Sequence, residues 1–210
     1  MIEPLRKIEE TRIVSIIRDI PKEHLVSTLN ALYEGGIRCI EITMDSPKAL
    51  EMIALAKETY TDDILIGAGT VLDEPTARNV ILAGAEFVLS PTLSTKVIEV
   101  CNTYGKLAIP GVFTPTEALT ATQAGAQIVK VFPVSSVGPN YIRDLKGPLA
   151  QIRLMPVGGI DEKNAKAYLK NGAFAVGIGS CLVSRKDVLN GDFAKIKKRA
   201  TILIQEAVKC

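Results

Sequence analysis

Lys130 occupies a stretch of the sequence where a charged side chain is unexpected. Residues 127–133 are rich in β-branched side chains and end in a proline, which predicts a buried strand with Lys130 on the same face as Ile128 and Phe132. Burial can lower the pKa of a lysine by roughly 3 to 5, so that a useful fraction of the amine is neutral near pH 7. Such an amine can attack a carbonyl carbon and form a Schiff base.

Two simpler interpretations of Lys130 stay open at this point. The side chain could extend from a strand end into solvent, which its long aliphatic stem allows. It could also pair with a carboxylate, for which Glu41 and Glu86 are the candidates. Neither alternative requires any chemistry.

Glu41 is the second candidate catalytic residue. Strand alternation over residues 39–43 places Glu41 on one face with Cys39 and Thr43. An inward carboxylate is costly in a sheet that is covered on both faces unless it has a partner, and a structural ion pair with Lys130 would provide one. An amine beside a proton-exchanging carboxylate is also what imine chemistry requires, and we favour this interpretation.

Further polar and glycine residues follow other predicted strands. Gly158 and Gly159, and then Gly179 with Ser180, could present backbone N–H groups to a phosphate or another anion. Arg18 and Thr70 are candidates for binding a carboxylate. Two apolar side chains, Pro91 and Phe132, are expected to form a wall that excludes water from Lys130.

Strand-like and helix-like segments alternate along the whole chain. Strands are predicted at 13–17, 38–42, 64–68, 87–89, 107–109, 127–131, 152–156 and 174–178. Helices are predicted at about 21–34, 47–58, 74–83, 94–104, 115–124, 140–145, 162–170 and 192–208. This order predicts an α/β protein, a single (β/α)8 TIM barrel that forms one domain over residues 1–210.

The barrel interpretation explains where the unusual residues fall. Every candidate site residue lies at or just after the C-terminal end of a predicted strand, where barrel enzymes carry their active sites. The alternative fold is an open doubly wound sheet. Against it, no G-x-G-x-x-G fingerprint follows the first strand.

Composition narrows the class of partner. Apolar residues make up 47% of the 210 residues and the net charge is only +2, which argues against nucleic acid and anionic membranes and for a small molecule. Four scattered cysteines predict reduced thiols, and a single histidine excludes a histidine-rich metal site. Without a signal-peptide pattern or a membrane-spanning apolar run, a cytoplasmic protein is expected.

Several short motifs occur in the order and spacing of one known family. They are IEIT at 40–43, IGAGTV at 66–71, SP at 90–91, PGVFTPTE at 110–117, KVFP at 130–133 and GGI at 158–160. The chain resembles the 2-keto-3-deoxy-6-phosphogluconate (KDPG) aldolase / 4-hydroxy-2-oxoglutarate (KHG) aldolase family over essentially its whole length. The resemblance implies a class I aldolase that needs no metal and no cofactor, acts on a small keto acid and usually forms a homotrimer.

The resemblance also implies roles for individual residues. Lys130 would be the Schiff-base lysine and Glu41 the general acid and base. Thr70 and Arg18 would face the carboxylate of pyruvate, and Gly158, Gly159 and Ser180 would face the distal phosphate.

One position departs from the family pattern. Members often carry an arginine four residues after the catalytic glutamate, whereas this chain has Asp45 there, which resembles the related phosphogalactonate aldolases. The preferred epimer at C4 of the substrate is therefore open. Two further alternatives are a phosphate-binding isomerase or epimerase that uses Glu41 without a covalent step, and a barrel without activity in which Lys130 and Glu41 form a structural pair.

Overall fold

A computed structural model describes residues 3–61 and 63–208 of the chain. The strands in these residues are β1 Ile13–Ile17, β2 Cys39–Thr43, β3 Leu65–Gly69, β4 Phe87–Leu89, β5 Leu107–Ile109, β6 Gly111–Val112, β7 Val129–Val131, β8 Leu154–Pro156 and β9 Val176–Ile178. The helices are α1 Glu3–Thr11, α2 Leu25–Glu34, α3 Ala49–Thr59, α4 Glu74–Leu82, α5 Thr95–Thr103, α6 Pro115–Gln123, α7 Asn140–Lys146, α8 Ala165–Lys170, α9 Arg185–Leu189 and α10 Phe193–Val208.

All described strand pairs are parallel, and they form two sheets. One sheet has six strands in the order β5-β4-β3-β2-β1-β9, and the other has three in the order β6-β7-β8. An isolated parallel bridge between Val157 and Gly177 links the end of β8 to β9. Pro110 separates β5 from β6, because proline has no backbone N–H to donate to a neighbouring strand.

The predicted strands all exist, with ends that differ by at most two residues, and the fifth is followed by the additional short strand β6. The α/β class with a mostly parallel sheet is therefore correct.

Local capping explains several helix starts. Asp73 accepts a hydrogen bond from the N–H of Thr76, and Thr114 forms a capping box with Glu117.

Two of the described helices were not predicted, and two begin at least three residues later than expected. Neither α1, which precedes the first strand, nor α9, which has only five residues, belongs to a predicted strand-helix unit. The helix expected from 21 begins at Leu25, after a 3-10 turn at Lys22–His24. The helix expected from 162 begins at Ala165, because Asp161 accepts hydrogen bonds from the N–H groups of Lys163 and Asn164 in a preceding turn.

The core consists of two apolar clusters. The larger one lies between the outer faces of the strands and the helices and includes Ile13, Ile17 and Ile42. The smaller one collects the opposite faces of the strands, with Val14, Ile16, Cys39, Leu65, Phe87, Leu89, Leu107, Ile109, Ile128, Met155, Val157 and Ala175. Leu5 and Ile8 of α1 belong to this inner cluster, so α1 covers part of its surface.

The cysteines in the described residues are free thiols. Cys39 and Cys101 are buried and Cys181 is exposed, while the predicted thiol of Cys210 lies outside the described residues. Among the described helices, none combines the length and the apolar character that crossing a membrane would need.

Candidate active site

Lys130 lies in the middle of β7 with its side chain among the inner cluster. Ile128 belongs to that cluster and Phe132 packs against it, which agrees with the predicted alternation. Lys130 is only 5% exposed. Burial lowers the pKa of its amine, the charge of Glu41 opposes this effect, and Arg18 adds to it. The amine is therefore closer to neutrality than an exposed lysine.

Glu41 lies on β2 and is 1% exposed. Within the described part of the chain its Oε2 atom has no hydrogen-bond partner. Burial raises the pKa of the carboxyl, Lys130 and then Arg18 oppose this, and Asp45 adds to it. A buried carboxyl with a free oxygen is available to exchange a proton with a bound molecule.

Gly69 at the end of β3 makes room for the Glu41 carboxyl. A Cβ atom at Gly69 would lie 1.4 Å from Glu41 Oε1 and 2.3 Å from its carboxyl carbon. The two residues are neighbours because β2 and β3 pair in parallel, with Thr43 opposite Gly69. The glycine therefore determines where the carboxyl can lie, a role the sequence alone did not indicate.

The two alternative explanations of Lys130 can now be compared with the structure. Lys130 does not extend into solvent, since it is buried. Glu86 is not its partner either, because Glu86 forms an ion pair of 3.1 Å with Lys57. Glu41 is the carboxylate that acts on the pKa of Lys130.

Arg18 and Thr70 come together at the ends of β1 and β3. Arg18 Nη2 donates a hydrogen bond of 3.3 Å to Thr70 Oγ1, and Arg18 Nη1 forms an ion pair of 3.2 Å with Asp45. Thr70 has a φ of 59°, which is unusual for a β-branched residue and is a form of strain often found at functional sites. Asp45 is the residue at which this chain departs from the family pattern, and it is the ion-pair partner of Arg18.

A cavity of about 430 Å³ opens beside these residues. Six of the predicted site residues line it, namely Arg18, Phe132, Gly158, Gly159, Gly179 and Ser180. Lys130, Glu41, Thr70 and Pro91 are not in its wall, but the Phe132 ring centroid is 4.9 Å from Lys130 Nζ. Phe132 therefore borders the cavity and lies close to the amine.

The backbone at Gly158 and Gly159 adopts a conformation that favours glycine. Gly158 and Gly159 have φ values of 107° and 70°, which side chains larger than glycine rarely adopt. Pro91 lies elsewhere on the rim, where its carbonyl group leaves space only for a glycine at position 111.

Two charged residues of the cavity wall were not predicted from the sequence. Asp19 and Arg185 line the same cavity and form an ion pair of 3.0 Å. Asp19 directly follows Arg18, but nothing in the pattern distinguished it from a solvated loop residue. Arg185 begins a helix that was not predicted. Over residues 3–61 and 63–208, no group of three or more His, Cys, Asp or Glu residues is arranged to hold a metal ion.

Comparison with protein families gives a match over nearly the whole chain. The family model described as KDPG and KHG aldolase matches residues 5–199. The 2-dehydro-3-deoxy-6-phosphogalactonate aldolase of Escherichia coli K12 is 34% identical over 171 residues, which are 81% of this chain and 83% of that protein. The 2-dehydro-3-deoxy-phosphogluconate aldolase of Treponema pallidum is 33% identical and covers 93% of both chains. The KHG/KDPG aldolase of E. coli K12 is 33% identical over 88% of this chain and 87% of that protein.

Solved structures agree with this result. KDPG aldolase from Legionella pneumophila, with pyruvate captured as a covalent carbinolamine intermediate, superposes with a TM-score of 0.90 at 27% identity, over 96% of this chain and 98% of that one. A subunit of a protein cage designed by fusing symmetric oligomeric domains gives a TM-score of 0.87 at 30% identity, over 94% of this chain and 72% of that one.

Proposed function

Because the chain belongs to the KDPG and KHG aldolase family, we propose that it is a class I aldolase that cleaves 2-keto-4-hydroxy acids through an imine on Lys130. The observation that carries this proposal is that Lys130 and Glu41 are both buried and each charge acts on the pKa of the other group, while one Glu41 oxygen is free within the described residues. The substrates that we propose are KDPG, cleaved to pyruvate and glyceraldehyde 3-phosphate, and KHG, cleaved to pyruvate and glyoxylate.

The reaction begins when the neutral Lys130 amine attacks the C2 ketone of the substrate. Loss of water from the carbinolamine gives a protonated imine, which withdraws electrons from C3. Glu41, directly or through a water molecule, takes the proton of the C4 hydroxyl while the C3–C4 bond breaks. The remaining enamine is protonated at C3 and hydrolysed to pyruvate, which regenerates the amine.

The remaining site residues are assigned to binding. Arg18 and Thr70 are proposed to face the pyruvate carboxylate, because their polar groups meet at the mouth of the site. Phe132 and Pro91 are proposed as the apolar wall that keeps Lys130 dry. The distal phosphate is assigned to the four strand-end residues of the cavity, Gly158, Gly159, Gly179 and Ser180.

The imine step is tested by reducing the protein with borohydride in the presence of pyruvate and measuring the intact mass. The wild type is expected to gain one reduced pyruvate adduct on a peptide that contains Lys130. Lys130→Arg should gain none, because a guanidinium does not form the imine, while the exposed control Lys96→Arg should label like the wild type. Equal labelling of the Lys130 variant would refute the assignment and leave the non-covalent isomerase or epimerase as the alternative.

The role of Glu41 is tested with Glu41→Gln, which keeps the size of the side chain. We expect the rate of cleavage to fall by about 100-fold or more, while pyruvate is still trapped on Lys130. Turnover is measured by coupling pyruvate formation to a dehydrogenase. An unimpaired rate would remove Glu41 from the mechanism.

A second candidate substrate is 2-keto-3-deoxy-6-phosphogalactonate. Asp45 occupies the position where the family often has arginine, and it forms an ion pair with Arg18. Comparing kcat/KM for the phosphogluconate-derived and phosphogalactonate-derived keto acids decides between them, since they differ only in the configuration at C4.

We also propose that the two sheets are parts of one closed (β/α)8 barrel, and that residues 1–210 form one domain. In this arrangement β5 and β6 are two halves of the fifth strand, interrupted at Pro110. The hydrogen bond from the Lys130 N–H to the Pro110 carbonyl and the bridge between Val157 and Gly177 support the closure.

The proposal also covers the oligomeric state, the metal requirement and the cellular location of the enzyme. We propose a homotrimer, supported by the likeness to a designed cage of symmetric oligomeric domains. Light scattering during gel filtration should give a molar mass three times the 22.6 kDa of one chain.

Catalysis without a metal is supported by the amine mechanism itself. A cytoplasmic location is supported by the free thiols of the described cysteines.

A further inference from the structure

Arg185 is a positively charged residue in the wall of the cavity at the candidate site, and the proposed mechanism gives it no role. It lines the same cavity as Gly158, Gly159, Gly179 and Ser180. The charged residues in the cavity wall are Arg18, Asp19 and Arg185, which leaves one net positive charge. Arg18 is already paired with Asp45, which lies outside the wall. Both terminal amino groups of Arg18 are in use, on Asp45 and Thr70, whereas Arg185 contacts its own partner Asp19 through Nε.

Asp19 contacts the guanidinium of Arg185 only through its Nε atom. Arg185 Nε donates a hydrogen bond of 2.9 Å to the Asp19 carbonyl and lies 3.0 Å from Asp19 Oδ2. In the part of the chain that the structure describes, the two terminal amino groups of Arg185 donate no hydrogen bond. A guanidinium held in this way keeps two parallel N–H donors for a phosphate, the geometry in which arginine binds oxyanions most strongly.

The backbone that carries Arg185 is anchored. After β9, the N–H groups of Leu182 and Val183 both donate to the carbonyl of Gly179, at 2.9 and 3.0 Å, so the chain turns directly beside the predicted anion site. Leu182, Val183 and Val188 are buried, which holds the start of α9 in place. Less entropy is lost on binding when the cation's backbone is already ordered.

From these contacts we propose that Arg185 binds the phosphate of phosphorylated substrates, and that Asp19 is a positioning residue for its guanidinium. The inference rests on the proposed function and extends its binding site by one side chain. KHG carries no phosphate, and its distal anionic group, the C5 carboxylate, lies closer to the imine carbon than the C6 phosphate of KDPG does. The residue would therefore discriminate between the two kinds of substrate and leave the lysine chemistry unchanged.

The test compares wild type, Arg185→Gln and the control Arg143→Gln, which removes an exposed arginine outside the cavity wall. For KDPG, Arg185→Gln should lower kcat/KM by about 10- to 100-fold, mainly through KM, which is the size of a lost charge-assisted hydrogen bond. For KHG the change should stay within about twofold. Asp19→Asn should show a smaller loss with KDPG only, and Arg185→Lys should recover part of the loss.

An equal loss with both substrates, or none with KDPG, would overturn the inference, because Arg185 would then be structural or unused. A wild type that cleaves KHG but not KDPG would overturn it too, while the aldolase proposal survives.

A direct binding measurement separates the inference from the proposed function. By calorimetry, glycerol 3-phosphate should bind the wild type at least about tenfold more tightly than Arg185→Gln. If the wild type cleaves neither keto acid, the proposed function fails, and this comparison still decides whether Arg185 binds phosphate. Equal affinities would refute that role.

Discussion

At the scale of single residues, burial acts on Lys130 and Glu41 in opposite directions. It lowers the pKa of the amine and raises that of the carboxyl, so the two values move toward each other. Each charge stabilises the other and opposes this convergence. A proton can therefore move between such groups, or to and from a substrate, at a smaller cost than between an exposed lysine and an exposed glutamate.

The rate of imine formation should depend on pH through the neutral form of Lys130. Below the pKa of the amine the ammonium is inert, so the rate of reductive trapping of pyruvate should rise with pH and level off above that pKa. Because the Glu41 carboxylate raises the pKa of Lys130, Glu41→Gln should move the midpoint to lower pH. Trapping is measured from the initial rate of adduct formation, by intact mass with cyanoborohydride.

The control for this profile is Glu10→Gln, which changes an exposed carboxylate on α1. Its midpoint should coincide with that of the wild type. A midpoint for Glu41→Gln that stays in place or moves to higher pH would mean that the carboxylate does not act on the amine.

At the scale of secondary structure, the site depends on strand alternation and on small residues at strand ends. Inward-facing side chains on β2 and β7 bring the carboxyl and the amine to the same interior. β3 contributes glycines at 67 and 69, where a Cβ atom would collide with the Phe87 ring and the Glu41 carboxyl respectively. β3, which pairs with the strand that carries Glu41, thus contributes the space for that carboxyl.

Gly69→Ala should impair catalysis by displacing Glu41. The added methyl group would lie 1.4 Å from Glu41 Oε1, so the carboxyl must move, and we expect kcat to fall by about 10- to 100-fold. Gly147→Ala is the matched control, because its Cβ would lie 3.4 Å from the nearest atom and its backbone is helical. The kcat of this control should equal that of the wild type.

A double-mutant cycle identifies the source of the Gly69 effect. The three closest atoms to the added Cβ all belong to Glu41, so the stability loss caused by Gly69→Ala should largely vanish in a Glu41→Ala background. Urea denaturation of the four proteins measures this coupling. Additive losses would show that the methyl group disturbs the backbone of β3.

At the scale of the whole molecule, α1 completes the inner core. Leu5 and Ile8 pack with the inward residues of the strands and are almost fully buried. The candidate site lies at the C-terminal strand ends, where Arg18 follows β1 and Thr70 follows β3. Since α1 leads into the N-terminal end of β1, we expect Leu5 and Ile8 to contribute to stability rather than to catalysis.

Ile8→Ala should lower the free energy of unfolding by about 2–5 kcal/mol, because it removes buried methyl groups and leaves a cavity. The KM for the substrate should not change. Urea denaturation at a fixed protein concentration and steady-state kinetics check both statements, with the exposed Glu9→Ala as the control. A changed KM would indicate that α1 acts on the site.

The sequence alone determined the α/β class, the order of eight strands and eight helices, and the inward faces of Glu41 and Lys130. These features follow from local patterns. Side chains alternate along a strand with a period of two, and helix starts favour particular capping residues. The family motifs added the proposed chemistry. None of these features requires knowledge of how distant segments pack.

Only the tertiary structure decided which residues meet. The pairing of Arg18 with Asp45, the ion pair of Asp19 with Arg185, the space that Gly69 leaves for Glu41 and the packing of α1 join different elements. Such contacts depend on strand register and on the path of the loops, which no local period specifies. Asp19 and Arg185 are 166 residues apart and become neighbours because β9 pairs with β1.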